Sequence, residues 1–129
     1  MIYTSYYGNL KKLKNSDHKI EPISVSRITP VGIHIFNIEE LFPSKELLDW
    51  WKSSSQSESD KQKYIETYNK QLSQLNAKKI EQKLYQYSCK KDVVLLCYEK
   101  PADFCHRHLI AKWLQNNGIS VEEWKNEQN

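Results

Sequence analysis

The chain has 129 residues, which is enough for one domain with a substantial hydrophobic core. Its formal net charge of +3 permits a nucleic-acid or phosphate-bearing partner but does not by itself indicate one. Three glycines are too few for a phosphate loop of the Walker or dinucleotide type, and we expect neither a membrane-spanning segment nor a signal peptide.

The three cysteines are Cys89, Cys97 and Cys105. An odd number at these spacings is unlike a disulfide framework. The cysteine content therefore indicates a reducing, cytoplasmic environment.

The first half of the chain predicts strands joined by polar connections. Residues 2–7 are rich in isoleucine, threonine and tyrosine and predict a first strand. The basic segment 9–19 predicts a solvated connector or short helix. Residues 23–28, preceded by Pro22, predict a second strand with Arg27 at its end, and residues 31–37 predict a short extra strand or covered loop.

Three helices are predicted next. Ser44 is a suitable N-cap for the first, and a Ser-rich surface loop follows at residues 53–59. The sequence from Ser59 to Gln62 has the capping-box form and predicts the start of the second helix, which extends to about Asn76. Its aromatic residues Tyr64 and Tyr68 could stack bases, although core packing is the simpler role. Residues 77–88 predict the third helix.

The stretch from residue 93 to residue 108 carries most of the chemistry. Residues 93–97 form an uninterrupted apolar run, typical of a strand buried on both faces. A polar loop follows, Asp103 is a suitable N-cap, and a helix is predicted over 104–117, ended by Gly118. The residues of its apolar face are Leu109, Ile110, Trp113 and Leu114. Residues 119–121 predict a short closing strand.

This pattern predicts a single α/β domain over residues 1–129. We expect a mostly parallel central sheet flanked by helices, in a Rossmann-like three-layer arrangement. In such folds, ligands bind beyond the carboxyl ends of strands, against helix N-termini. Arg27 should reach the same sheet edge as Cys97 if their strands are adjacent and parallel.

Candidate site residues cluster at this edge. The candidate catalytic residues are Cys97, Glu99, Cys105 and His106, and the candidate substrate-binding residues are Arg27, Tyr98 and Arg107. A cysteine thiolate would be the nucleophile, and His106 or Glu99 would move protons. The two arginines would be forked donors to phosphate or carboxylate.

Each of these residues also has a structural interpretation. His106 lies on the apolar face of the helix and could be a buried imidazole bonded to a backbone carbonyl, whereas His108 should point into water. Cys97 could be a small core residue. Arg107, at the border of the buried face, needs an anion, which would be either Glu99 or a ligand.

The sequence resembles the domain of unknown function 488 (DUF488) family over nearly its whole length. The most specific signature is Cys97-Tyr98-Glu99 followed by Cys105-His106-Arg107. The segments 3–7, 9–13, 23–27 and 41–44 also match the family. The resemblance implies an α/β domain whose site joins Arg27, Cys97, Glu99, Cys105, His106 and Arg107, with no established reaction.

Three functions fit these residues. The first is a Cys/His-dependent hydrolase or transferase acting on an anionic substrate, such as a nucleotide or nucleic-acid component, without a cofactor. The second is a non-catalytic nucleic-acid-binding module, in which Lys11, Lys12 and Lys14 contact phosphates. The third is a zinc site formed by Cys97, Cys105, His106 and Glu99, although their spacing is not that of a standard finger or ribbon.

Overall fold

The computed structural model describes residues 1–16, 19–98 and 104–125. Within these ranges the strands are β1 (Ile2–Tyr6), β2 (Ile20–Ser24), β3 (Phe36–Asn37), β4 (Asp92–Cys97) and β5 (Val121–Glu123). The helices are α1 (Leu10–Lys14), α2 (Lys45–Ser53), α3 (Glu58–Ser73), α4 (Ala77–Tyr87) and α5 (His106–Asn116). Short 3-10 turns occupy Tyr7–Asn9 and Glu39–Leu41. The predicted α/β fold is confirmed.

The strands form one parallel sheet in the order β3-β2-β4-β1-β5. Strand β4 is central and pairs in parallel with both β1 and β2. Its residues Val94 and Leu96 are fully buried, as are their neighbours Val93, Leu95 and Cys97. The prediction of a central strand covered on both faces is therefore confirmed.

The two faces of the sheet have separate cores, which gives the three layers. Alternate residues of β4, such as Leu95, pack in a large core with side chains of α2, α3, α4 and α5. The intervening residues, such as Leu96, pack with Leu10 and Leu13 of α1 and with Trp124. Side chains on a strand point alternately to opposite faces. Because a hydrophobic core covers each face of β4, every residue of its buried stretch is apolar.

Strand β2 differs from the prediction because it begins at Ile20, includes Pro22 and ends at Ser24. Val25 donates its N–H to Leu96 of β4, and Ile38 donates to the Ser24 carbonyl on the other side. Backbone groups alternate between the two sides of a strand, so Pro22, three residues before Val25, has its backbone nitrogen on the β3 side. Strand β3 pairs only with residues 23 and 24 and does not extend to Pro22. Proline is tolerated at a position that needs no N–H donor.

The helix starts test the predicted caps. The Ser44 side chain caps α2 by accepting from the Leu47 N–H at 3.1 Å, as predicted. The predicted capping box at Ser59 is wrong. Helix α3 begins two residues earlier, and the Ser57 side chain accepts from the Asp60 N–H at 3.2 Å. Gly118 has φ +79, as a residue that ends a helix often does.

Helix α5 begins at His106 with Cys105 at the N-cap position. The helix thus starts two residues later than predicted, and the proposed cap Asp103 lies outside the described residues. None of the helices in the described part of the chain is long and apolar enough to cross a membrane.

Candidate functional site

A cavity of about 360 Å³ opens at the carboxyl edge of the sheet. Ser26 and Arg27, just after β2, form one part of its wall, and Cys97, the last residue of β4, forms another. Cys105 and His106 contribute the start of α5, while α2 and α3 supply the apolar side. The cavity therefore occupies the position where parallel α/β sheets bind ligands.

The sulfur atoms of Cys97 and Cys105, here called the sulfur pair, form a disulfide in the cavity wall. The number and spacing of the cysteines predicted no disulfide framework, and that prediction is wrong for Cys97 and Cys105. The end of β4 and the start of α5 meet at the sheet edge, so two sulfurs eight residues apart come together. The third cysteine, Cys89, is free and exposed.

Arg107 lies behind the sulfur pair and is fully buried. Its Nε and Nη2 atoms donate to the two carboxylate oxygens of Glu123 at 3.2 and 3.1 Å. Its Nη1 atom donates to Cys97 Sγ at 3.0 Å. The sequence analysis expected Glu99 or a ligand to supply the anion for Arg107. It did not consider Glu123, which lies on β5 beside β1. The Thr4 hydroxyl also donates to Glu123, at 2.7 Å.

Arg107 does not line the cavity, so a direct substrate contact from this side chain has no support in the geometry. A buried guanidinium needs a paired anion to offset its lost hydration. The Glu123 carboxylate is that anion, and its two hydrogen bonds with Arg107 orient the third donor, Nη1, toward Cys97. Sequence reasoning missed Glu123 as the partner of Arg107. The two residues are 16 positions apart, and the sequence does not indicate that the strand carrying Glu123 pairs with β1.

His106 is 8% exposed, and its Nε2 atom lies 2.7 Å from the Val25 carbonyl oxygen. Because a carbonyl only accepts, Nε2 carries the proton and Nδ1 is the lone-pair atom of the neutral ring. Nδ1 lies 3.9 Å from Cys105 Sγ. Burial lowers the pKa of His106 to about 4. The hydrogen bond to Val25 opposes this shift, and the electrostatic influence of Arg107 and His108 adds to it.

This geometry is the buried, carbonyl-bonded imidazole that the sequence offered as the structural alternative. It does not remove His106 from the site, because the ring also lines the cavity beside Cys105. His108, in the first turn of α5, is half-buried rather than directed wholly into water as expected.

Arg27 is exposed and lines the same cavity as Cys97, Tyr98, Cys105 and His106, so the predicted placement at this edge is met. Its Nε and Nη2 atoms donate to the Pro43 carbonyl oxygen at 3.4 and 3.2 Å. The guanidinium carbon also lies 5.9 Å from the centre of the Phe42 ring. These contacts hold the cation at the rim, and its role toward a substrate stays a prediction.

Tyr98 is 46% exposed at the cavity mouth, directly after β4. Its ring meets that of Tyr7 edge to face, with centroids 5.0 Å apart. The Tyr7 hydroxyl is buried within hydrogen-bond distance of the Ser24 and Ser26 hydroxyls, at 2.6 and 2.8 Å. This hydroxyl cluster fixes Tyr7, which in turn supports Tyr98.

An aromatic wall faces the cavity from α2, α3 and the segment before α5. Its rings belong to Trp51, Tyr64 and Phe104. Their centroids lie 5.1–5.3 Å apart in pairs, in tilted or edge-to-face arrangements. Tyr68, the other candidate for base stacking, is fully buried and donates its hydroxyl to the Leu41 carbonyl at 2.6 Å.

Comparison with known families identifies the chain. The family model described as the active DUF488-N3 subclade matches residues 6–118. The chain belongs to the DUF488 family. No curated protein and no solved structure matches it.

In this DUF488 protein, the family-like signature divides between two places. Cys97, Tyr98, Cys105 and His106 line the cavity, whereas Arg107 points to Glu123 behind it. Glu99, the remaining signature residue, lies outside the described residues. The catalytic and binding roles of these residues stay predictions.

Sequence reasoning missed the aromatic wall and the exposed Lys52 at the cavity. The sequence pattern favours core packing for Tyr64, and an amphipathic helix pattern does not distinguish a core position from a cavity wall. Phe104 was assigned to a helix that begins after it.

The metal hypothesis finds no assembled site. Among residues 1–16, 19–98 and 104–125, no three His, Cys, Asp or Glu side chains are placed to hold a metal ion. The sulfurs of Cys97 and Cys105 are bonded to each other, and a zinc ligand must be a free thiolate.

Proposed function

We propose that this DUF488 protein is an enzyme acting on an anionic substrate with a planar ring, of the nucleotide or nucleic-acid-component class. One observation carries the proposal: a single cavity combines a sulfur pair, an arginine at its rim and an aromatic wall.

The cavity has the size and composition expected for a small-molecule site. A volume of about 360 Å³ lies within the usual range for ligand pockets. Trp51 offers an aromatic surface for a planar ring. Arg27 and Lys52 are exposed cations on the same cavity and would attract a phosphate or carboxylate.

The chemistry requires the sulfur pair in its reduced state. A thiolate at Cys105 would sit at the N-cap of α5, where the helix dipole favours a negative charge. It would attack the substrate and form a covalent intermediate, which water resolves in a hydrolase and a second acceptor resolves in a transferase. The neutral His106 presents Nδ1 toward this sulfur at 3.9 Å and can accept a hydrogen bond from the Cys105 thiol, whose proton leaves to solvent water.

The alternative is a non-catalytic nucleic-acid-binding module. Its support is the exposed cluster Lys11, Lys12 and Lys14 on α1. Helix α1 packs on the face of the sheet opposite α2–α5, so this cluster would act separately from the cavity. A steep fall of oligonucleotide affinity with salt, without turnover, would favour this alternative.

Binding is tested on the reduced protein by calorimetric titration and thermal shift with mononucleotides, nucleosides and inorganic phosphate. We expect mononucleotides to stabilise the protein most, because they combine a ring with an anion. Arg27→Ala should weaken their binding about tenfold or more, the effect of losing one charge-assisted hydrogen bond. Lys78→Ala removes an exposed cation outside the cavity lining and should leave the affinity unchanged.

Turnover is tested by incubating the reduced protein with the ligands that bind and following products by mass spectrometry. We expect product formation that Cys105→Ser abolishes. An unchanged affinity in Arg27→Ala, or turnover that survives in Cys105→Ser, would contradict the proposed site.

A further inference from the structure

We propose that the sulfur pair is a reversible redox centre that exchanges with external thiols, with Cys105 as the sulfur attacked and Cys97 as the thiolate held by Arg107. This inference goes beyond the proposed enzyme and does not depend on its substrate. It rests on the disulfide, its position on an open cavity and the contacts of Arg107.

Access favours Cys105 as the attacked residue. Both cysteines line the cavity, but Cys105, at the N-cap of α5, is 4% exposed, whereas Cys97, at the end of the central strand, is fully buried. Exchange requires an in-line approach to the attacked sulfur, so we expect an outside thiolate to react at the residue with the greater exposed surface.

The leaving group is the second reason for this direction. When Cys105 is attacked, Cys97 departs as a thiolate, and Arg107 Nη1 already donates to that sulfur at 3.0 Å. Disulfide exchange is faster when the leaving thiolate is more stable. An attack on Cys97 would instead release Cys105, whose thiolate would have the partial charge of the α5 N-terminus but, among the described residues, no guanidinium contact like that of Cys97.

Glu123 is the positioning residue for this contact. Its two carboxylate oxygens hold Nε and Nη2 of Arg107, which leaves Nη1 directed at Cys97. The Thr4 hydroxyl donates to the same carboxylate and fixes its orientation. Arg107 is fully buried, so its contact with the thiolate is little weakened by water.

The exchange balances with two equivalents of a low-molecular-weight thiol such as glutathione. The first thiolate bonds to Cys105 Sγ, the bond to Cys97 breaks, and Cys97 carries away the electron pair. The second thiolate attacks the glutathione sulfur of the mixed disulfide and releases the Cys105 thiolate, which takes a proton from solvent. The sulfur pair gains two electrons, and two glutathione molecules become oxidised glutathione.

The first experiment uses the full chain with Cys89→Ser, so that the sulfur pair supplies every cysteine. The protein is equilibrated with oxidised or reduced glutathione and tagged with a maleimide, and tags are counted by intact mass. We expect no tag after oxidation and two after reduction. Two tags after oxidation would overturn the proposal, because the pair would then not form.

The second experiment identifies the attacked sulfur with Arg107 intact. In the same background, the oxidised protein is treated briefly with reduced glutathione and quenched with acid, and peptide mass spectrometry locates the mixed disulfide. We expect glutathione on Cys105 at least about tenfold more often than on Cys97. Equal amounts, or more glutathione on Cys97, would overturn the assignment of roles.

The third experiment tests the positioning by Glu123 and Arg107. We expect Glu123→Gln and Arg107→Lys to slow reduction of the pair by glutathione about tenfold, the effect of weakening one charge-assisted hydrogen bond. Glu40→Gln is the matched control, since Glu40 pairs with Lys83 away from the cavity. An unchanged rate in both site variants would overturn the role of Arg107.

A variant that disturbs the buried arginine could fail to fold, so a spectroscopic readout accompanies it. In the variant retaining only Cys97, we expect the ultraviolet absorbance of the thiolate to persist at a lower pH than in the variant retaining only Cys89. Identical titrations would overturn the role of Arg107. None of these readouts needs a nucleotide, so failure of the proposed enzyme and failure of this inference are distinguishable.

Discussion

Two neighbouring residues in α5 show two ways of burying a basic side chain. Arg107 stays charged, because Glu123 supplies both carboxylate oxygens to its fork. His106 avoids the charge instead: its neutral ring donates to the Val25 carbonyl. Both arrangements couple the start of α5 to distant strands, since Glu123 belongs to β5 and Val25 follows β2.

The neutral state of His106 makes stability depend on pH. Burial lowers its pKa to about 4 from an ordinary value of 6.5, so between these values the unfolded chain binds more protons than the folded protein. The contribution of His106 to the free energy of unfolding should therefore be complete above pH 6.5 and be lost as the pH falls toward 4. The full loss is about 3 kcal/mol.

Denaturant unfolding at a series of pH values measures this loss. His106→Gln should flatten the pH dependence between about 6.5 and 4, whereas the exposed His34→Gln should retain the wild-type dependence. The same slope in His106→Gln as in wild type would show that another group is responsible.

At the scale of elements, the sequence predicts those with a strong local signal. The run at residues 93–97 identifies β4, and the Ser44 N-cap identifies the start of α2, because each signal lies within the element itself. The start of β2 was missed because Pro22 looks like a boundary, and only the pairing with β3 and β4 shows that its missing N–H is tolerated.

The site shows the same limit more strongly. Sequence reasoning placed Arg27, Cys97 and Cys105 at one edge because parallel strands bring their carboxyl ends together. It did not give the partner of Arg107 or the disulfide, because both depend on side-chain positions that strand order alone does not fix.

The cap of α3 gives a test at this scale. Ser57 accepts from the Asp60 N–H, whereas Ser59 lies inside the first turn. Ser57→Ala should lower the free energy of unfolding by about 1 kcal/mol, the usual effect of losing an N-cap side chain. Ser59→Ala is the matched control and should have a smaller effect. A larger loss for Ser59→Ala in denaturant unfolding would contradict the observed cap.

At the scale of the whole molecule, the central position of β4 connects the two cores and the cavity. One face of the strand supports α2–α5, and the other supports α1 and Trp124. The same strand ends in Cys97 at the cavity wall. The sulfur pair and the base of the cavity therefore rest on the most extensively packed strand, while Arg27 and Tyr98 lie at its exposed mouth.

This arrangement predicts that adjacent residues of β4 are equally important for stability, because they face different cores. Leu95 packs beneath the large helical layer and Leu96 packs beneath α1, and both are fully buried. Leu95→Ala and Leu96→Ala should each lower the free energy of unfolding by about 2–5 kcal/mol. Val31→Ala, at an exposed position, should change it by less than about 0.5 kcal/mol. A small loss for Leu96→Ala alone, measured by denaturant unfolding, would mean that α1 does not cover the sheet.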